Sequence, residues 1–165
     1  MTAEQFVEYL LSHSQLFDKG VIRDTDRHGN DFCEMIIKNE SQPLYPITVT
    51  VTDRGTSISV GQIQNVTSSN TMSAEETLAA IDDIVNDKII FVIAYDKDDD
   101  LGFGSPILTR IFAITGGEDD MSDEYNNFLK QISKPIKKFF RPFTSLKGRF
   151  TIFNFSGSLM KTVER

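Results

Sequence analysis

Residues 88–95 read KIIFVIAY, the one continuous apolar run in this chain of 165 residues. The run is short and rich in β-branched and aromatic side chains, which is typical of a strand buried on both faces. The segments around it mix polar and apolar residues. We therefore expect the rest of the fold to form layers around this strand.

Capping boxes predict where the helices begin. In a capping box, a Ser or Thr side chain and a Glu or Gln three residues later each bond the other's backbone N–H. Thr2 with Gln5 predicts a helix at the start of the chain, and Ser73 with Glu76 predicts one that runs to about residue 85. Ser122 is followed by two acidic residues, which stabilise the positive end of a helix dipole. It therefore predicts a third helix.

Alternation of apolar and polar residues predicts the clearest hairpin. Residues 47–52 read ITVTVT, so Ile and Val face one side of a strand and Thr faces the other. The sequence Asp-Arg-Gly at 53–55 predicts a turn, with residues 56–63 as the partner strand and Gly61 as a candidate bulge. Further strands are predicted over residues 32–38, 107–115 and 149–155.

These patterns predict the order helix, three strands, helix, two strands, helix, strand. Such an order favours an α+β fold, in which about three helices pack on a largely antiparallel sheet of five to six strands. The length favours a single domain over residues 1–165. Polar composition predicts loops over 20–30 and 65–72 and a loosely held tail from Ser156.

The element order resembles that of type III secretion chaperones. That resemblance implies a chaperone-type role in which the chain binds a protein partner; the role of an immunity protein is a parallel analogy for the same kind of binding.

Cysteine usage and hydropathy predict a cytoplasmic protein. Cys33 is the single cysteine, so it cannot form an internal disulfide, and a reducing compartment is the natural setting. The first residues lack the basic segment of a secretory signal. The longest apolar run, at about eight residues, is far shorter than a membrane-spanning helix, so we expect no membrane partner.

Charge is distributed unevenly along the chain, which has a formal net charge of -7. Residues 1–124 carry 23 acidic and 8 basic residues, whereas residues 125–165 carry 1 acidic and 9 basic residues. Such an asymmetry indicates a charged interaction surface. We predict that the partner-binding residues are Lys134, Lys137, Lys138, Arg141, Lys147 and Arg149.

The same basic segment is compatible with a second kind of ligand. Seven of the 13 phenylalanines fall between residues 128 and 155. Basic residues bind phosphates and aromatic rings stack on bases, so binding of RNA or single-stranded DNA through residues 130–155 is an alternative. A structural reading assigns the phenylalanines to the hydrophobic core and has the basic residues neutralise the protein's own acidic face or a helix C-terminus. A third use of the segment is docking to an acidic protein partner, and the acidic half of the chain equally fits a basic one.

Two acidic stretches are candidate metal sites, and a metal-dependent hydrolase is a further alternative. Asp96, Asp98 and Asp100 match the first positions of a calcium loop, but the glycine at the sixth position and the glutamate at the twelfth are missing. Asp24, Asp26 and His28 could converge only if their turn wrapped around a metal. Turn formation explains the same residues without a metal.

We find no catalytic motif in the sequence. Cys33 lies in a predicted strand, where a buried cysteine acts as a small hydrophobic residue, and His13 lies beside the apolar stripe of the first helix, as a structural histidine does. The G-x-S-x-G and phosphate-loop patterns are missing. The sequence thus favours a protein-interaction module without catalysis, cofactor or metal.

Overall fold

A computed structural model describes residues 2–17, 20–26, 28–69, 73–95, 108–113, 123–133 and 148–164. The chain forms two compact units, which divide between Asn86 and Asp87. Each unit contains one antiparallel sheet, and the described residues include three helices. The predicted α+β class is confirmed. A single domain over residues 1–165 stays a prediction.

The first unit is a five-stranded meander with two helices. Its strands lie in the order β1-β2-β3-β4-β5, each antiparallel to its neighbour. The first helix contacts the second helix and the second and third strands. The elements are α1 (Ala3–His13), β1 (Val21–Thr25), β2 (Asp31–Ile37), β3 (Ile47–Thr52), β4 (Gly55–Val60), β5 (Ile63–Ser69) and α2 (Ala74–Val85).

Alternation places the apolar side chains of these strands in the core. In β3 the Ile and Val residues are buried and the Thr residues are half-buried, as ITVTVT predicts. Val49 lies opposite Met35 on β2 and Ile58 on β4, and all three are fully buried. Buried side chains of α1 are Phe6, Val7 and Leu10, and those of α2 are Ala74, Thr77, Ile81 and Ile84.

Both predicted capping boxes are present in this unit. Thr2 Oγ1 accepts a hydrogen bond from the Gln5 N–H, and Gln5 Oε1 accepts one from the Thr2 N–H. Ser73 and Glu76 form the same reciprocal pair at the start of α2, with distances of 3.1 and 2.7 Å. Each box satisfies backbone donors that the first turn of a helix leaves without an intrahelical partner.

The second unit is a four-stranded sheet with one helix. Its strand order is β7-β6-β8-β9, all antiparallel. The strand predicted from KIIFVIAY lies inside this sheet and is buried on both faces, since Ile90 to Ala94 are each at most 1% exposed. The elements are β6 (Ile89–Tyr95), β7 (Leu108–Ala113), α3 (Asp123–Ser133), β8 (Arg149–Phe153) and β9 (Met160–Glu164).

The third helix contributes three side chains to the core of this unit. Tyr125, Phe128 and Ile132 are buried and recur at helical spacing along one face of the helix. They pack in one cluster with side chains of the sheet, and Phe112 of β7 contacts both Tyr125 and Phe128 at ring-centroid distances of 5.5 Å.

Three strands occupy segments that the sequence predicts as loops or tail. β1 and β9 are edge strands whose side chains are mostly exposed, so they lack the alternation of apolar and polar residues that marks a half-buried strand. β5 arises because the predicted strand 56–63 ends at Val60 and turns back at Gly61 and Gln62. The tail from Ser156 is therefore partly a strand.

Candidate functional site

The predicted partner-binding residues lie mostly outside the described residues. Lys134, Lys137, Lys138, Arg141 and Lys147 all fall there. Arg149 begins β8, is half-buried and lies opposite Tyr95 on β6 and Glu164 on β9. A basic residue opposite an acidic one stabilises a sheet pair. The partner-binding role of Arg149 stays a prediction.

Two described phenylalanines of the basic segment, Phe150 and Phe153, belong to the core, and Phe155 is half-buried. Phe150 and Phe153 are fully buried, and Phe128 is 8% exposed and packs edge-on against Phe150 at 6.2 Å. Their rings are covered by protein and cannot stack on bases. These rings belong to the core reading of the phenylalanines; Phe139, Phe140 and Phe143 lie outside the described residues, so nucleic-acid binding through residues 130–155 stays a prediction.

Asp24 lies in β1, and Asp26, His28 and Asn30 form a hydrogen-bonded turn after that strand. Asp26 Oδ1 accepts hydrogen bonds from the backbone N–H groups of His28 and Asn30, and the Asn30 side chain donates to both carboxylate oxygens. Chiefly because Asn30 donates these bonds, the pKa of Asp26 is lowered to about 2. In the described part of the chain, no three His, Cys, Asp or Glu residues group so as to hold a metal. The 96–102 loop lies outside the described residues.

His13 is a structural residue at the end of α1. Its ring stacks on Tyr9 with centroids 4.0 Å apart, and its Nδ1 lies 2.9 Å from the Tyr9 carbonyl oxygen. The expected hydrogen bond is therefore present, and the side chain itself is exposed. Partial burial and a hydrogen bond to Glu75 raise the pKa of Tyr9. The pKa of Glu75 is lowered by its own backbone N–H, by Ser73 and by Tyr9.

One cleft in the first unit brings together residues that sequence reasoning left apart. It has a volume of about 430 Å³ and lies between the start of α1, strands β1 and β2, and the turn after β3. Its lining consists of Thr2, Ala3, Glu4, Arg23, Asp24, Thr25, Asp31, Phe32, Cys33 and Asp53.

The cleft lining is acidic, with four carboxylates and one guanidinium. Two of the carboxylates are oriented by Thr25: Asp24 Oδ1 accepts from its backbone N–H at 2.7 Å, and Asp31 Oδ1 accepts from its hydroxyl at 2.9 Å. Cys33 is only 9% exposed, forms no disulfide and lies opposite Arg23 in the sheet. The acidic residues at the ends of neighbouring strands were the only sequence signal of this site.

Net charge also divides between the two units. The first, Met1–Asn86, holds 13 acidic and 5 basic residues, a balance of -8; the second, Asp87–Arg165, holds 11 acidic and 12 basic residues, a balance of +1. The acidic cleft therefore belongs to the unit that carries the whole negative excess of the protein.

Comparison with known proteins gives no relative. No family model, no curated protein and no solved structure matches the chain. Among the described helices, none is both long enough and apolar enough to cross a membrane.

Proposed function

We propose that this chain is a protein-interaction module that works without catalysis. The observation that carries the proposal is the acidic cleft of the first unit, because concave sites with several charged groups are usual places for ligand binding. The charge balance of -8 on the same unit supports a basic protein as the partner, since complementary charge speeds encounter and selects partners.

A non-catalytic role is supported by what the candidate catalytic side chains do. Asp26 holds a turn together through Asn30 and the His28 backbone, and His13 packs on Tyr9. Both residues thus serve local structure. We also place the protein in the cytoplasm, because its single cysteine is a free thiol and free thiols persist in reducing compartments.

The basic segment is a second proposed contact surface. Its residues between Lys130 and Arg149 include no acidic residue, so their charge adds up along the segment. Acidic protein surfaces and nucleic acids both fit such a segment. The buried Phe150 and Phe153 favour the protein, because base stacking would need exposed rings.

Affinity capture with charge variants tests the proposal. The full chain and the variant Lys137→Glu/Lys138→Glu/Arg141→Glu are used to capture partners from a lysate of the source cell, and the recovered proteins are identified by mass spectrometry. We expect the wild type to retain one protein near one-to-one stoichiometry and the variant, with an unchanged circular dichroism spectrum, to retain less of it. Equal recovery by the wild type and the variant would exclude the basic segment as a contact surface. If the wild type captures no protein at a stoichiometric level, the proposed function is contradicted.

A further inference from the structure

Leu44 is an apolar side chain that lies in water at the tip of the loop between β2 and β3. It is 78% exposed, the highest value among the large apolar side chains of the described residues, and Met160 follows at 56%. With Pro43 it forms the centre of a β-turn, in which the Gln42 carbonyl accepts a hydrogen bond from the Tyr45 N–H at 2.9 Å. Gly, Asn, Asp and Ser are the usual residues beside proline in a turn. Leucine therefore departs from turn chemistry here, and such departures concentrate at functional sites.

The chain before Leu44 is fixed by two buried amide side chains. Asn39 and Gln42 are only 5% and 7% exposed, whereas Asn and Gln are mostly exposed in folded proteins. Asn39 Oδ1 accepts a hydrogen bond from the Gln42 N–H at 2.9 Å. Pro43 follows, and its ring restricts its own φ to about −65°. The first half of the loop is thus held in one conformation.

The chain after Leu44 lies directly on the turn between β4 and β5. The Pro46 carbonyl accepts a hydrogen bond from the Gly61 N–H at 2.9 Å. A Cβ at Gly61 would lie 2.6 Å from the Leu44 carbonyl oxygen and 2.9 Å from Cδ1 of Tyr45, so this close approach needs glycine. The backbone of Leu44 is therefore fixed on both sides, while its side chain stays exposed.

This rigidity determines how much an exposed leucine contributes to binding. An apolar side chain gains free energy in proportion to the area that it buries. Ordering a flexible loop on association offsets part of that gain, and a loop that is already ordered avoids this cost. Side chains that fill a pocket at the centre of an interface supply most of its binding energy. The braced turn thus gives Leu44 the properties of such an anchor.

We propose that Leu44 inserts into an apolar pocket of the protein partner. The inference deepens the proposed function and rests on it for the existence of a partner. A second copy of the chain is a poorer occupant, because the first unit has a charge balance of -8 and two such units repel each other. Glu40 is exposed in the same loop, so the pocket that fits this turn has a basic residue at its rim.

Serine variants test the role of the side chain. The wild type, Leu44→Ser and the control Leu16→Ser capture proteins from a lysate of the source cell over a range of bait concentrations, which gives an apparent affinity for the stoichiometric protein. Leu16 is 49% exposed and lies between α1 and β1, so the control also loses an exposed leucine. We expect Leu44→Ser to weaken binding about thirtyfold, the loss typical of a hot-spot side chain, and Leu16→Ser to weaken it less than about threefold. Urea denaturation checks that both variants are as stable as the wild type.

Hydroxyl-radical footprinting measures the burial of Leu44 in the complex with the captured protein. The oxidation rate of Leu44 should fall on binding toward that of Leu10, which is fully buried in the free chain, and the rate at Leu16 should stay the same. The free chain is measured over a range of concentrations as the reference. A fall in the Leu44 rate as the free chain is concentrated would assign the site to a second copy and overturn the inference.

The results separate the inference from the proposed function. If a protein is captured but Leu44→Ser binds it as tightly as the wild type does, or the oxidation rate of Leu44 is the same in the complex as in the free chain, the inference is overturned and the proposed function stands. If the wild type captures no stoichiometric protein, the proposed function is removed and the inference falls with it.

Discussion

Asp87 Oδ1 accepts a hydrogen bond from the backbone N–H of Ser156 at 2.8 Å, across 69 positions of the chain. Asp87 precedes β6 and adopts a left-handed conformation with φ of 60°, which aspartate tolerates better than most residues. Ser156 lies in the turn between β8 and β9. One side chain thus ties the entry of the buried strand to the last hairpin.

Substitutions at Asp87 should separate the hydrogen bond from the backbone conformation. Asp87→Asn keeps an acceptor oxygen and tolerance of positive φ, so we expect a small loss of stability. Asp87→Gly tolerates the positive φ but has no acceptor oxygen. Asp87→Ala has no acceptor and does not tolerate the positive φ, so it should lose about 2 kcal/mol of unfolding free energy. Urea denaturation and hydrogen exchange at the Ser156 amide check this order. Equal stability of the alanine and asparagine variants would contradict it.

Asp26 should stabilise the first unit above its depressed pKa. Its pKa in the folded chain is about 2, below the ordinary 3.8, so its contribution is present above about pH 4 and is lost as the pH falls toward 2. Asn30→Ala removes the largest cause of the shift and should raise the pKa of Asp26 toward its ordinary value. Titration of the Asp26 carboxyl by NMR measures both values. The same titration midpoint in both proteins would rule out this role of Asn30.

Comparison of Gly61 with Gly29 separates the cost of a steric clash from the cost of a positive φ. Both have positive φ, +54° and +80°, but a Cβ at Gly61 would lie 2.6 Å from the Leu44 carbonyl oxygen, whereas one at Gly29 meets nothing within 4 Å. Gly29→Ala should cost about 1 kcal/mol for the conformation alone, and Gly61→Ala should cost clearly more, about 2–4 kcal/mol. Thermal or urea unfolding compares them. Equal costs would mean that the loop at Leu44 yields to the added methyl group.

Phe150 should behave as a core residue of the second unit. Its side chain is fully buried against Phe128, so Phe150→Ala should lower the unfolding free energy by about 3–5 kcal/mol. Ile111→Ala on β7 is the control; Ile111 is 37% exposed, and we expect about 1 kcal/mol there. If Phe150→Ala lowers the unfolding free energy no more than Ile111→Ala does, Phe150 does not belong to the core.

Local signals predicted the parts of the fold that depend on local interactions. The two capping boxes need residues only three positions apart, and both are present. The strand at 88–95 was readable because a strand buried on both faces is apolar throughout. The edge strands β1 and β9 could not be predicted from the sequence, because exposed edge positions place little constraint on side-chain hydropathy.

The cleft could not be predicted for a different reason. Glu4, Arg23, Cys33 and Asp53 come from four segments, and only the order and register of the strands bring them together. Each residue alone is typical of a helix start, a strand or a turn. The charge of the site is visible in the composition of the first half of the chain, but its shape depends on long-range pairing.

Capture from a lysate of the source cell, with and without nuclease and at low and high salt, separates a protein partner from a nucleic acid. A protein-interaction module should retain one protein near one-to-one stoichiometry in both nuclease conditions. Recovery of nucleic acid alone, lost on nuclease treatment and released steeply by salt, would contradict it and assign the basic segment to phosphate binding.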